Sequence, residues 1–321
     1  MKYTLEIQTG LVSEPVRARF AMLIPVLQGM LYSTKRQMIE QCGGYDAITF
    51  ETFCRIYNEH PGDYGICFEY AVHDSIRAKQ PSIYAKVSYI LDQFCRIGAK
   101  AESILFGSEK NGKQTILESA KSILTDNSKL LPGTQARPTF LKRHIDNISL
   151  AMRHGHVANN LPSSIRGVWK ADLFLGNPDS DYWVATTLKT NRLSIEPAPG
   201  LRIAMYPEER PNEEPRADGS LILCPLPYNS EFMQLFGATF QIVKHIISAR
   251  GKMPNLVALV YFHDQEVAKW LTDRSHFPLV EILAALESIK QVDLLGQAVQ
   301  ESAEGDNDVA ATAPIPLVHA C

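Results

Sequence analysis

Apolar positions recur at spacings of three and four from Val12 to Asn58, with Val16, Phe20, Leu23, Ile24 and Leu27 on one stripe, and this spacing predicts helix. Pro25 is expected to kink or divide the segment, because proline removes an amide donor and crowds the preceding turn. Gly43-Gly44 breaks the pattern, and Pro61-Gly62-Asp63 marks a turn. A second helix is expected from about Tyr64 to Lys79. Pro81 suits a first helical turn and opens a third, running to about Arg96. Residues 100 to 135 read as helix and loop closing on Leu131-Pro132-Gly133, and residues 138 to 154 as helix again.

The texture changes at Arg166. Val168 to Leu175 and Tyr182 to Lys189 read as strands joined by the turn Gly176 to Asp181. Leu201 to Tyr206 and Ser220 to Leu226 read as further strands, with the charged, proline-rich stretch Pro207 to Gly219 as an exposed loop between them. Glu231 to Ala249 is an amphipathic helix, Leu256 to Phe262 a buried strand, and Leu279 to Leu295 a last helix. The expected division is a helical region over 1–60, an α/β core over 61–300 with a helical insertion at about 97–160, and a disordered acidic, Ala/Pro-rich tail over 301–321.

Composition narrows the function classes. The 321 residues are 45% hydrophobic and 21% charged, which excludes a fully disordered chain. Lys plus Arg is 32 against 35 for Asp plus Glu, a net charge of -3, so binding to nucleic acid would need a local basic face rather than global charge. Met1 to Gly10 has no apolar stretch of signal-peptide type, and no apolar run is long enough to span a bilayer, so no membrane association is expected. Cysteines at 42, 54, 67, 95, 224 and 321 form no metal-binding spacing and fit reduced thiols, and with them a cytoplasmic location.

Three polar residues stand where burial makes them expensive. Asp172 interrupts the apolar run Val168 to Leu175; a buried, unpaired polar group costs about 1–3 kcal/mol and a charge more. Lys189 closes the strand Tyr182 to Lys189, with Thr187 on the same face. Glu69 shares a helix face with Ile66, Val72 and Ile76, at offsets of three and seven. The two strands form an expected antiparallel hairpin, with the helix beside it. Two carboxylates can hold a hard divalent cation through oxygen, and the Leu188 carbonyl can add a ligand. Lys189 could then orient or help deprotonate a water attacking phosphorus. Each residue also has an ordinary reading: Asp172 bonded to backbone amides or Lys170, Lys189 solvated, Glu69 paired with His73.

The order helix glutamate, strand aspartate, then lysine at the end of the next strand resembles the PD-(D/E)xK, or restriction-endonuclease-like, nuclease superfamily. The residues carrying it are Glu69 in GICFEYAVHDSI, Asp172 in GVWKADLFLG and Lys189 in WVATTLKTN, with Asn191 just beyond. The resemblance covers roughly 64–80 and 166–250. It implies a central mixed sheet flanked by helices, Mg²⁺ (or Mn²⁺) as cofactor, and hydrolysis of DNA phosphodiesters, in a setting such as restriction or antiphage defence. Asp172 and Glu69 would hold the metal, Lys189 would activate water, and Thr187 would lend a secondary contact. Thr187 departs from the family, which has an acid or glutamine there. Glu69 can take over that duty, or the domain is degenerate and binds nucleic acid or a partner subunit without cutting; a third alternative is a scaffold whose triad is structural. Thr187→Glu is expected to restore the usual pattern and tighten metal binding.

Residues 135 to 170 hold Arg137, Lys142, Arg143, Arg153, Arg166 and Lys170 against the single acid Asp146. They read as phosphate contacts or as a solvated helix face. His154-Gly155-His156 lacks a third ligand at usable spacing. Gln241, on the helix after the core strands, is a secondary candidate, since several nucleases of the superfamily place a glutamine near the site. Trp169, Trp183 and Trp270 read as core or core-edge residues. The N-terminal helices would supply substrate recognition or homodimer contacts.

Overall fold

A computed structural model describes residues 13–105, 116–131, 138–161, 165, 171–190, 200–206, 214–218 and 221–287. The helices are α1 (Glu14–Ser33), α2 (Arg36–Gln41), α3 (Phe50–Ile56), α4 (Asp63–Arg77), α5 (Pro81–Gln93), α6 (Ile116–Ile123), α7 (Ile145–Arg153), α8 (Glu231–Ser248), α9 (Phe262–Asp273) and α10 (Leu279–Glu287). The strands are β1 (Glu102–Leu105), β2 (Lys129–Leu131), β3 (Thr139–Phe140), β4 (Leu173–Asn177), β5 (Tyr182–Lys189), β6 (Gly200–Tyr206), β7 (Arg216–Asp218) and β8 (Leu221–Pro227). Gly43 and Gly44 both take positive φ, 96° and 89°, which glycine adopts freely and which ends α2.

All described strands join one mixed sheet in the order β1-β4-β5-β6-β8-β7, with β2 on β5 and β3 on β2. β4 and β5 form the expected antiparallel hairpin, in the register Leu173↔Thr186 to Asn177↔Tyr182. The other edge of β5 is divided: β2 pairs in parallel with Tyr182 to Val184, and β6 in parallel with Thr186 to Lys189. The hairpin register is locked near its turn. A Cβ on Gly176 would lie 2.4 Å from the Trp183 ring directly opposite, so only glycine fits there. Trp183 is fully buried, as expected of a core tryptophan.

Helices cover both faces. On one, Leu173, Leu175, Val184, Leu188, Leu201 and Ile203 share a core with α1, α4, α5, α8 and α9. On the other, Phe174, Trp183 and Ala185 pack with Leu141, Ile145, Ile148 and Leu161 around α7. α1 contacts α4, α8, α9 and α10, so the N-terminal helices belong to the main core. It approaches α4 closely at Gly29, where a Cβ would sit 2.7 Å from the Cys67 Cα. A buried ion pair, Arg19 Nε to Asp264 Oδ1 at 2.5 Å, ties α1 to α9. Trp270 lies at the core edge against Phe20, ring centroids 5.2 Å apart.

Several expectations are corrected. Pro25 does not divide its segment: it lies buried inside a continuous α1, where packing on several sides offsets the lost hydrogen bond. Residues 100 to 135 contain β1 and β2 as well as α6, and the stretch 207 to 219 contains β7, which pairs with β8. These strands are short, and their apolar patterns are too brief to show a period. Leu256 to Phe262 is not a buried strand. It begins with a short 3₁₀ turn (Leu256–Ala258), in which the Asn255 side chain accepts from the Val257 amide (3.2 Å), and both the turn and the chain after it are exposed, Val257 by 84% and Val260 by 77%. Only Leu259 of that run is buried, anchoring the loop between α8 and α9. Asp172 sits in a bend just before β4, not within the strand. Trp169 and the chain beyond Glu287, including the tail, lie outside the described residues.

Candidate functional site

α4 carries a polar stripe toward the end of the hairpin at offsets of four, which share one helix face. Gly65 faces Thr190 (3.9 Å from a built Cβ to its Cγ2), Glu69 comes one turn later, and His73 one turn further hydrogen-bonds through Nδ1 to the Ser103 hydroxyl of β1 (2.9 Å). Glu69 therefore lies between the end of β5 and β1. Its carboxyl is held well above the ordinary carboxylate range, by burial first and then by the Asp172 carboxylate, while the Lys189 ammonium pulls the other way. The three residues named from the sequence are thus within electrostatic reach of one another.

Asp172 owes its place to a break in strand alternation. Its amide donates to the Thr186 carbonyl (3.0 Å), one residue out of step with the Leu173↔Thr186 pairing. Ala171 accordingly packs with the second core and Leu173 with the first, although two residues apart in a regular strand would share a face. In that bend the Asp172 carboxylate accepts from the Leu188 amide at 2.7 Å. Burial raises its proton affinity, whereas the Leu188 amide and then the Lys189 and Arg202 charges lower it. Alternation puts Thr187 and Lys189 on the face of Trp183 and Ala185, opposite α4. Contact with Glu69 is possible because Asp172 lies where alternation fails and Lys189 is the last residue of β5.

The Leu188 amide points toward Asp172, and in an extended strand the carbonyl of the same residue points toward the same edge. A buried carboxyl whose proton affinity is raised further by a neighbouring carboxylate is suited to a cation, and Mg²⁺ is commonly held by one or two carboxylates with the remaining ligands from water and substrate phosphate. The donor set is sparse all the same: no group of three or more His, Cys, Asp or Glu converges among the described residues.

Compared with known proteins, the chain matches no family model, no curated protein and no solved structure. The site's chemistry therefore rests on its own geometry.

Sequence reasoning missed one residue of this neighbourhood. Arg202 on β6 is 4% exposed, pairs in register with Thr187, and has its guanidinium donating to the Leu201 carbonyl (3.0 Å). The signal was available: a charge inside the apolar run Leu201 to Tyr206 is as conspicuous as Asp172. The Thr187 hydroxyl itself is buried and has no hydrogen-bond partner among the described residues. At the rim, Tyr228 lies between β8 and α8, and its hydroxyl donates to the Thr190 carbonyl (3.3 Å).

The other candidates lie elsewhere. Arg143 is exposed and stacks over Phe140, 4.3 Å from the ring centroid. Lys142 pairs with Asp126 (3.3 Å), and Asp146 pairs with Lys121 (2.7 Å). His154 and His156 are both exposed, and Gln241 is on the exposed side of α8. Arg137, Arg166, Lys170, Asn191 and the Arg153 side chain lie outside the described residues. Five cysteines are free thiols; burial pushes Cys54, Cys95 and Cys224 up to about 12 and leaves them poor nucleophiles at neutral pH. No helix among the described residues is long and apolar enough to cross a membrane.

Proposed function

We propose that the chain is a metal-dependent phosphodiester hydrolase of the restriction-endonuclease-like kind, cutting DNA. The observation that carries the reading is the approach of Glu69 from α4 to the end of the β4–β5 hairpin, where its charge meets those of Asp172 and Lys189. Asp172 and Glu69 would hold Mg²⁺ or Mn²⁺, with the Leu188 carbonyl as a further ligand. The ion, when bound, would supply Lewis acidity at the phosphate and a water of lowered pKa. The Leu188 amide fixes one Asp172 oxygen, so the carboxylate is oriented before any ligand arrives. Lys189 orients the attacking water and stabilises the charge that develops on phosphorus.

A second reading has its own support: Thr187 where an acid is usual, and a buried guanidinium beside it. In that reading the domain binds DNA, or a partner subunit, without cutting. Nicking of supercoiled plasmid with Mg²⁺ or Mn²⁺, against EDTA, separates the two. Hydrolysis is expected from the wild type and lost in Asp172→Ala and Lys189→Ala, with thermal midpoints unchanged or raised, because removing a buried functional charge relieves strain. Failure of the wild type to cut under any divalent ion, with DNA binding intact, would establish the non-cutting domain instead.

A further inference from the structure

We propose that Tyr228 is a stacking platform for a nucleobase beside the scissile phosphate, so that the site takes DNA at an unpaired or single-stranded position. This rests on the hydrolase reading for the chemistry at the phosphate; the platform itself stands on the sheet edge and the residues around it.

Strands β5, β6 and β8 run parallel to one another, and their C-terminal ends fall at Lys189, Tyr206 and Pro227. In open α/β sheets ligands bind outside the carboxyl ends of such strands. Tyr228 follows β8 directly and lies across this edge. Its amide donates to the Tyr206 carbonyl (3.1 Å), and its hydroxyl donates to the Thr190 carbonyl (3.3 Å), one residue beyond Lys189. The side chain is thus tethered at both ends, yet the residue is 42% exposed. An aromatic ring held this way at an open edge has little freedom left to lose when a flat partner stacks on it.

The surroundings leave room for that partner. Tyr64 of α4 packs against Phe236 and Phe240 of α8, with ring centroids 4.9 Å apart in both pairs. Burial, and then the Tyr228 hydroxyl nearby, push the Tyr64 hydroxyl up to about 12, so it stays a neutral donor. Two half-buried glycines lie close to these rings, Gly65 in α4 and Gly237 in α8. Beyond its own stretch of chain, a Cβ at Gly65 would meet only Thr190 Cγ2 among the described residues, at 3.9 Å, and one at Gly237 only the Tyr64 hydroxyl, at 3.8 Å. Packing within the chain demands neither glycine, although glycine in a helix interior costs about 1 kcal/mol against alanine. Both keep helix backbone bare at this edge. Gly65 shares its helix face with Glu69, so the bare stretch of α4 leads toward the carboxylates.

Stacking here fits an unpaired base. Inside a duplex both faces of a base are covered by its neighbours, and only a base out of the stack offers one to a side chain. The net charge of -3 gives the chain no general hold on a duplex, which leaves a larger share of the affinity to such a contact.

Fluorescence anisotropy of labelled DNA, as a single strand and as the blunt duplex of the same sequence, tests this on the full chain in EDTA and again with Ca²⁺. Wild type is expected to bind the single strand more tightly. Tyr228→Ala and Tyr228→Leu should each weaken single-strand binding at least about fivefold, the loss of one stacked base, and shift duplex binding by less than about twofold. Tyr228→Phe keeps the ring and gives up only the hydroxyl contact, so it should stay within about threefold of wild type. Tyr89→Ala, at an exposed tyrosine of α5, a helix that bears no residue of the site, should bind as wild type does. Equal losses on single strand and duplex overturn the platform, as do a leucine variant that binds like wild type and a wild type with no preference for the single strand. A single-strand preference lost in Tyr228→Ala, with no plasmid cutting under any divalent ion, would defeat the hydrolase reading and uphold the platform. Plasmid cutting by a wild type that binds both forms alike would do the reverse.

Discussion

Glu69→Gln keeps the shape of the side chain and removes its charge, which makes it the cleanest probe of the site. In the native state burial and the Asp172 carboxylate raise the proton affinity of Glu69 well above the ordinary range, against the pull of Lys189. The native protein therefore keeps a proton that the unfolded chain has already released. Its stability falls as pH climbs above the ordinary value of 4.5 and levels off only above the shifted value. The loss is at most about 1.4 kcal/mol per pH unit across that window. Glutamine cannot ionise, so this slope disappears and the variant is the more stable protein at pH 8. Mn²⁺ should reverse the order: at a hundredfold excess over its dissociation constant a ligand adds about 2.7 kcal/mol to the wild type and much less to a variant that has lost a ligand. Urea unfolding at pH 5, 7 and 8.5, with and without Mn²⁺, measures both effects. A variant less stable than wild type at pH 8.5 in EDTA, with the slope unchanged, would mean that the pairing with Lys189 dominates and that Glu69 is a structural partner.

Other consequences follow from the same structure. Asp264→Ala strands the buried Arg19 guanidinium, side chain 6% exposed, and should cost about 3–5 kcal/mol in urea unfolding, whereas Arg19→Met with Asp264→Leu should recover most of it. His73 is held down to about 3 by burial and then by Arg77, so it stays neutral in the fold while the unfolded chain takes up a proton near the ordinary 6.5. Stability should therefore fall as pH drops from about 6.5 toward 3, and His73→Gln, which can still bond Ser103, should flatten that limb of the stability–pH curve. Val257→Ser and Val260→Thr should each change stability by less than about 0.5 kcal/mol, since both side chains already face water; a larger loss in a thermal melt would show that the loop is covered in solution.

Long periodic segments were legible in the sequence. α4, α5, α8 and β5 lie within a few residues of where spacing and turn residues put them, because each repeats its pattern for several turns or a full strand. The brief strands β1, β2 and β7 were not, since a strand of three or four residues carries no period and is defined by partners distant in sequence. The run from Leu256 to Phe262 shows the converse failure: continuous apolarity without a partner strand does not make a strand. At the site, Glu69, Asp172 and Lys189 were each legible as a misplaced charge. The bend that lets Asp172 reach both the Leu188 amide and Glu69 was not, because a slipped hydrogen bond leaves the residue sequence unmarked. Arg202 needed the β5–β6 register, which joins strands separated by an unpatterned connection.

The glycine–tryptophan contact at Gly176 and Trp183 bears on how this site can drift or be transplanted. The charged ends of the hairpin lie beside Leu173 and Thr186, while the contact that fixes the pairing lies near the turn. A one-residue slip would exchange the two faces of β5, carrying Lys189 to the α4 side and Trp183 out of its core. Substitutions at the end beside Leu173 and Thr186 therefore leave the pairing contact untouched, whereas Gly176 accepts no side chain. A graft of this hairpin onto another sheet would need to carry the inert tip along with the charged residues, since the tip holds the alignment on which they depend.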